Sequence, residues 1–363
     1  MQRCWRAASG YWQSPGAPLA WGLLALSVLA VVLQLVVQYR INFWSRDLFN
    51  AIEQKSGEGL IAQAIAFVPL ATASVTLALT AVWSRMTIDR EWRRWFSQYL
   101  FDAWMRNEGH ARLQHLAGEH QTPEYRIADD ARVATDLPID LALGFFSSVL
   151  TAGMFIGVLW SIGGSLQVSA FGVDVTIGGY LVLAVIAYSL VLTWAMLFVG
   201  RKLTDVSEAN KASEANLRAA GSALRALGEG SPSPQGSRDS RRCICDALER
   251  VTCCWRDLCF QVMRMTFVSH INTLIAPSVS LLLCAPKYLT GDMTLGTVVQ
   301  AAAAFVAVQG AFNWVADNYG RLIEWSTSAT RVGSLLVSLD RINGTEAEEV
   351  DLRKAIVVRS ELA

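Results

Sequence analysis

Several groups of polar residues are spaced so that they could do chemistry. Asp317 and Glu324 stand seven residues apart, which puts two carboxylates on one face of a helix. Carboxylates beside a translocation path can bind cations or relay protons. They also serve as ordinary solvated acids wherever water reaches them. Arg46, Asp47 and Asn50 share another helical surface, where Asp47 could face a central cavity or simply pair with its neighbour. His110, His115 and His120 recur every five residues, a step that scatters them around a helix and argues against a metal site. Five of the seven cysteines fall between Cys243 and Cys259, at Cys243, Cys245, Cys253, Cys254 and Cys259. They lack the paired C-x₂-C spacing of a zinc site, so no metal is expected. No G-x-x-x-x-G-K-[ST] motif occurs, so these residues carry no P-loop to hold nucleotide phosphates and Mg²⁺.

The elements that would position these groups are set by composition. Hydrophobic residues make up 53% of the 363 residues and charged residues only 17%, too apolar for an ordinary soluble protein. A formal net charge of zero argues against a nucleic-acid partner. Six apolar runs are long enough to span a bilayer, at about 18–38, 60–83, 139–162, 176–199, 268–289 and 295–315. The first reads as an uncleaved span behind a cytoplasmic N-terminus, 1–17. The fifth is the weakest, holding His270, Asn272, Pro277 and Pro286. Many of the 13 Trp sit at the ends of these runs, where amphipathic rings settle at the headgroup layer.

Lys and Arg settle the sides. Two precede the first span, eight lie between spans two and three, eleven between four and five, and six after span six. The opposite side has three, none and one. Both termini are therefore expected in the cytoplasm. The apolar residues Ile88, Trp92, Trp95, Phe96, Tyr99, Ala103 and Trp104 recur at three- and four-residue steps among Arg90, Arg93 and Arg94. That period continues span two as a helix into the cytoplasm, although a helix lying on the membrane surface would show it too.

Four segments then resemble a known family. Tyr39-Arg40-Ile41-Asn42-Phe43-Trp44-Ser45-Arg46-Asp47-Leu48-Phe49-Asn50-Ala51-Ile52 looks like the end of the first span in bacterial ABC transporters of the fused permease–ATPase type. That type is related to the peroxisomal fatty-acyl transporters of subfamily D and to the SbmA/BacA peptide-antibiotic transporters. Trp92-Arg93-Arg94-Trp95 with Trp104 resembles the family's second intracellular extension. Pro123-Glu124-Tyr125-Arg126-Ile127-Ala128-Asp129-Asp130 is similar to its first coupling segment. Gly291–Gly296 and Val308–Phe312, with Leu322, Glu324 and Arg331, resemble the last span and its exit helix.

The resemblance covers roughly 10–220 and 255–342. It implies an all-α integral membrane domain over 18–342, six transmembrane helices with long cytoplasmic extensions, in a bacterial inner membrane. It further implies a dimer with a second copy, surrounded by membrane lipid and driven by a cytoplasmic ABC ATPase. Arg126, Ile127, Asp129 and Asp130 would couple to that ATPase, or form a solvated loop. Arg46, Asp47, Asn50, Asp317 and Glu324 would line the translocation pathway. ATP and Mg²⁺ would be bound by a partner or a missing domain rather than by this chain, which would not be an enzyme. An ATPase-free, proton-coupled peptide transporter of the SbmA/BacA kind is the alternative within transport.

One stretch departs from the pattern. Across 228–246 the helical period gives way to Ser, Pro, Gly, Arg and Cys, then resumes near Ala247. Such a stretch is either a flexible linker or a short compensated frameshift. On the second reading the tail 343–363, where an ATPase linker would start, reflects another slip, and the copy would be a non-functional gene product.

Overall fold

The computed structural model describes residues 1–106, 123–170, 173–228 and 234–361, and they are almost wholly helical. A short N-terminal helix α1 (Gln2–Ala8) leads through a 3₁₀ turn, Ser9–Gln13, into α2 (Ala17–Glu53). Next come α3 (Gly57–Met105), a helical turn Pro123–Tyr125, a π-helical turn Arg126–Asp130 and α4 (Ala131–Gly163). After a strand pair the chain continues as α5 (Tyr180–Gly200), α6 (Leu203–Gly228), α7 (Pro234–Leu289) and α8 (Leu295–Glu361). Six of the helices, counting α5 and α6 as one run, are long and apolar enough to cross a membrane.

The helices outlast the bilayer. At about 1.5 Å per residue, the 49 residues of α3 extend far beyond a hydrocarbon core of about 30 Å. Its apolar stretch ends at Trp83, and the arginine-bearing part from Arg85 onward is a continuous extension of the same helix. The three- and four-residue period of Trp92 and Phe96 is satisfied there by burial within the protein: Ile88, Phe96 and Leu100 are fully buried and Trp92 is 2% exposed. A membrane-surface helix would have left that face to lipid.

Two compact units divide the chain. The first comprises 1–157, 294–300 and 317–363. Its core gathers Cys4, Ala7, Ala8 and Tyr11 from the N-terminal segment, Ile88, Trp92, Phe96 and Leu100 from α3, and Val332, Leu335, Leu336 and Leu339 from α8. Trp92 donates its indole N–H to the Ala8 carbonyl at 2.9 Å. Arg3 grips Asp340 through two hydrogen bonds of 2.7 and 3.0 Å.

At the far end of this unit, Ser56 caps α3 by accepting from the Gly59 N–H at 3.1 Å. Here α2 also meets the start of α8. Asn50 Oδ1 accepts from the Gly296 N–H at 3.0 Å, and Glu53 Oε2 accepts from the Leu295 N–H at 3.0 Å. Both satisfy N–H groups that a helix start leaves without partners, and Glu53 places a negative charge at the positive end of the helix dipole.

The second unit comprises 158–293 and 301–316. Two strands, β1 (Ser165–Ala170) and β2 (Val173–Gly178), pair antiparallel with Ser165 opposite Gly178 and Ala170 opposite Val173. The segment between the third and fourth apolar runs therefore carries a strand pair, and the fourth apolar helix starts at Tyr180 rather than near residue 176. Gly179 has φ +64°, and a Cβ there would lie 2.6 Å from the Trp160 ring, so glycine is required on both counts. Its N–H donates to the Gly164 carbonyl at 2.8 Å and closes the base of the strand pair.

Much of the stretch expected to be irregular, 228–246, is helical. Residues 229–233 lie outside the described residues, and α7 starts at Pro234 and runs unbroken through Pro277 and Pro286. Proline suits the first turn of a helix, whose N–H groups have no intrahelical partner. Likewise α8 continues helically through most of the segment read as a tail, 343–363.

Candidate functional site

Charged residues beyond the apolar part of α3 and at the start of α4 form an ordered set. On α3, Arg85, Asp89 and Arg93 repeat every four residues and share a face. On α4, Arg132, Asp136 and Asp140 do the same. The two faces meet in opposite order. Asp140 accepts from Arg85 and, from a third helix, Arg321 of α8, so that one carboxylate joins three helices. One turn along, Asp89 and Asp136 act on each other as like charges. The positive charges of Arg93 and Arg132 favour the ionised form of Asp136.

The electrostatics of this ladder follow from burial. Loss of solvent pushes the Asp89 carboxyl up to about 7, the charges of Asp136 and Asp140 add to the rise, and Arg85 opposes it. Its Oδ1 is buried and has no hydrogen-bond partner among the described residues. Burial raises Asp136 too, against the favourable charges of Arg93 and Arg132 and a hydrogen bond from Thr135. A carboxyl raised as far as that of Asp89 exchanges a proton near neutral pH, where ordinary carboxylates are fully ionised. This cluster was missed in the sequence. Its trace was the four-residue spacing of Arg85, Asp89 and Arg93 and of Arg132, Asp136 and Asp140.

Three of the four residues anticipated as an ATPase dock, Arg126, Ile127 and Asp130, face inward. Ile127 is 1% exposed, and Arg126 and Asp130 are buried as well. Arg126 donates to the Arg331 carbonyl at 3.2 Å and to Ser334 Oγ at 3.3 Å. Asp130 Oδ1 accepts from Ser328 Oγ at 3.1 Å and lies 3.7 Å from the Arg331 guanidinium. These side chains fasten the π turn to α8. Asp129 is half-exposed, and the open face of the segment belongs to Glu124, Tyr125 and Ala128. Tyr125 is 54% exposed.

The residues anticipated along a pathway separate into two groups. Arg46 pairs with its neighbour Asp47 at 2.9 Å, while its guanidinium lies 4.8 Å from the Phe43 ring. Asn50 is the cap on α8 described above. Asp317 and Glu324 are both exposed along α8. Desolvation by the adjoining protein surface raises the Asp317 carboxyl above its ordinary range. The structure does not bring the two pairs together, and neither joins the ladder.

Polar groups also meet in the second unit. Tyr188 on α5 donates to Asn272 Oδ1 on α7 at 2.9 Å, which gives the polar residue of the weakest span a partner inside the protein. Lys287 donates to the Gly163 carbonyl and lies 5.4 Å from the Tyr180 ring. The clustered cysteines are free thiols. Cys243, Cys245, Cys253 and Cys259 are exposed, and Cys254 sits 3.2 Å from Ser213 Oγ. Among the described residues no group of three His, Cys, Asp or Glu side chains could hold a metal. His110, His115 and His120 lie outside the described residues.

Comparison with known proteins fits this architecture. Residues 17–289 match the family model described as ABC transporter transmembrane region 2. The chain is similar to the inner membrane ABC transporter ATP-binding protein YddA of Escherichia coli (strain K12), with 25% identity over 320 residues. That alignment covers 85% of this chain and 56% of YddA. It is also similar to ABC transporter D family member 2, chloroplastic, of Arabidopsis thaliana, with 19% identity over 339 residues. There the coverage is 93% of this chain and 46% of the plant protein. The chain thus spans about half the length of the curated relatives it matches. A family model covering most of the sequence, on six apolar helices with long polar extensions, shows that this multi-pass membrane protein belongs to the ABC transporter transmembrane region 2 family.

Proposed function

We propose that this chain is the permease part of an ABC transporter, forming a translocation pathway with a second copy of itself and driven by an ATPase domain outside these residues. Both termini then lie in the cytoplasm of a bacterial inner membrane, as the distribution of Lys and Arg supports. The observation that carries this reading is the anchored turn Arg126–Asp130. A segment that transmits force must be held firmly on one side and open on the other. Arg126, Ile127 and Asp130 supply the hold on α8, leaving Glu124, Tyr125 and Asp129 to meet an ATPase. The coupling role thereby divides into positioning residues and contact residues.

Photo-crosslinking tests it. With a benzophenone amino acid in place of Tyr125, membranes should yield an adduct whose partner contains a P-loop ATPase. The same probe at exposed Arg90 should yield none. Adducts to lipid or to the chain itself alone would overturn the reading.

A second reading, proton-driven uptake of peptides without an ATPase, is favoured by the near-neutral carboxyl of Asp89. It expects labelled-peptide accumulation that collapses with a protonophore and survives ATP depletion, whereas the ABC reading expects the reverse.

A further inference from the structure

The α3–α4 ladder has one rung of like charge. Arg85 meets Asp140, with Arg321 of α8 on its other side, and opposite charges there hold the helices together. One helical turn along both helices from that pair stand Asp89 and Asp136, two like charges, and the Asp89 Oδ1 is buried without a hydrogen-bond partner among the described residues. Two carboxylates sharing a partly dry site repel each other, and the repulsion vanishes once either one takes a proton. The charges facing this rung come from all three helices: Arg85 and Arg93 on α3, Arg132 and Asp140 on α4, and Arg321 on α8. Three of the five are committed elsewhere. Arg85 and Arg321 both bond Asp140, and Asp140 is itself negative. Arg93 and Arg132 act on Asp136, which leaves Asp136 as the member that ionises first and Asp89 as the member that keeps the proton.

We propose that Asp89 and Asp136 form a proton-binding site, which holds one proton while the α3 and α4 extensions lie side by side and releases it when they part. Balance is simple: joining the extensions takes one proton from solvent onto an Asp89 oxygen, and separation returns it. Asp140 works as the fixed rung beside it, pinned by two guanidinium groups, so the helices part by opening the carboxyl rung first. The inference stands on the ladder alone and holds whether ATP or a proton gradient drives transport. Asp317 and Glu324, nominated from sequence as a relay, are not part of it.

The full chain in lipid nanodiscs provides the test. Infrared spectra between pH 5 and pH 9 should show a protonated carboxyl that titrates near neutral pH, with Asp317→Asn run alongside to remove the raised carboxyl on α8. Asp89→Asn should abolish that titration. Asp136→Asn should keep it but move its midpoint down by about one pH unit or more, because a neighbouring negative charge is gone. A near-neutral titration that survives Asp89→Asn, or that Asp136→Asn leaves unmoved, would overturn the site.

Motion needs its own readout. Spin labels at Arg94→Cys and Ala128→Cys, with the seven native cysteines replaced, report the separation of the two extensions. Raising the pH from 6 to 8 should populate longer distances in the parent chain and leave Asp89→Asn unchanged. Equal responses in the two, or none in the parent, would show that the proton does not govern separation.

Discussion

Individual residues decide more here than their exposure suggests. Gly296 is the sharpest case, since a Cβ there would sit 2.1 Å from the Arg46 carbonyl oxygen and 2.3 Å from Asn50 Oδ1. Gly296→Ala should push α2 away from the start of α8 and cost about 1–3 kcal/mol, as overpacking of a closed contact does. A lower melting temperature in detergent checks it, with Gly310→Ala, where a Cβ meets nothing within 4 Å, as the silent control. Asp89 makes the opposite prediction. Its carboxyl is raised in the folded chain from 3.8 to about 7. The stability it contributes is present below about pH 4 and is lost as pH rises to about 7. Asp89→Asn should therefore melt above the parent chain by a margin that grows from pH 5 to about pH 7 and is level beyond.

At the scale of elements, the π turn Arg126–Asp130 shows what a sequence hides. Its position between two long helices and its charge were legible in Pro123–Asp130, and an exposed charged loop was a natural expectation. Which charges turn inward depended on Ser328, Arg331 and Ser334, some 200 residues away, and no local period announces them. The spans themselves were legible because hydropathy is a local property, and so was the amphipathic period through Trp92 and Phe96. The ladder was half-legible. Four-residue spacings stood in the sequence on both helices, but the register that sets Asp89 against Asp136 is fixed only by packing. Pro234 shows the limit of composition, since a Ser/Pro/Gly-rich stretch that reads as linker is helical from that residue on. Asp130→Ala should free the turn from α8 at a cost of about 1–3 kcal/mol, the usual penalty for a buried partner left alone. Limited trypsin digestion should then cut faster after Arg126 and Arg132, while Asp129→Ala leaves the rate unchanged.

Across the whole molecule, stability rests on unequal supports. Apolar spans gain little from one another in lipid, where the tails are as apolar as leucine. In the first unit the water-excluding core lies instead in the extensions, where Trp92, Phe96, Leu335 and Leu339 close around the N-terminal segment. Deleting residues 2–13 removes Cys4, Ala7, Ala8 and Tyr11 from that core and strips the Trp92 indole of its acceptor. Size-exclusion chromatography in detergent should show the shortened chain aggregating, while Trp92→Phe, which gives up one hydrogen bond worth about 1 kcal/mol, stays monodisperse.

The grip of Arg3 on Asp340 sets a timetable as well as a contact. The N-terminal segment is made long before the surface it must cover, which Val332, Leu335, Leu336 and Leu339 complete far later along the sequence. At roughly 5–20 residues per second, the apolar face of α1 waits tens of seconds for its seat. During that interval the six apolar helices can enter the bilayer before this clasp closes. Pausing synthesis just short of codon 332 should leave the N-terminal segment open to protease, and releasing the pause should protect it.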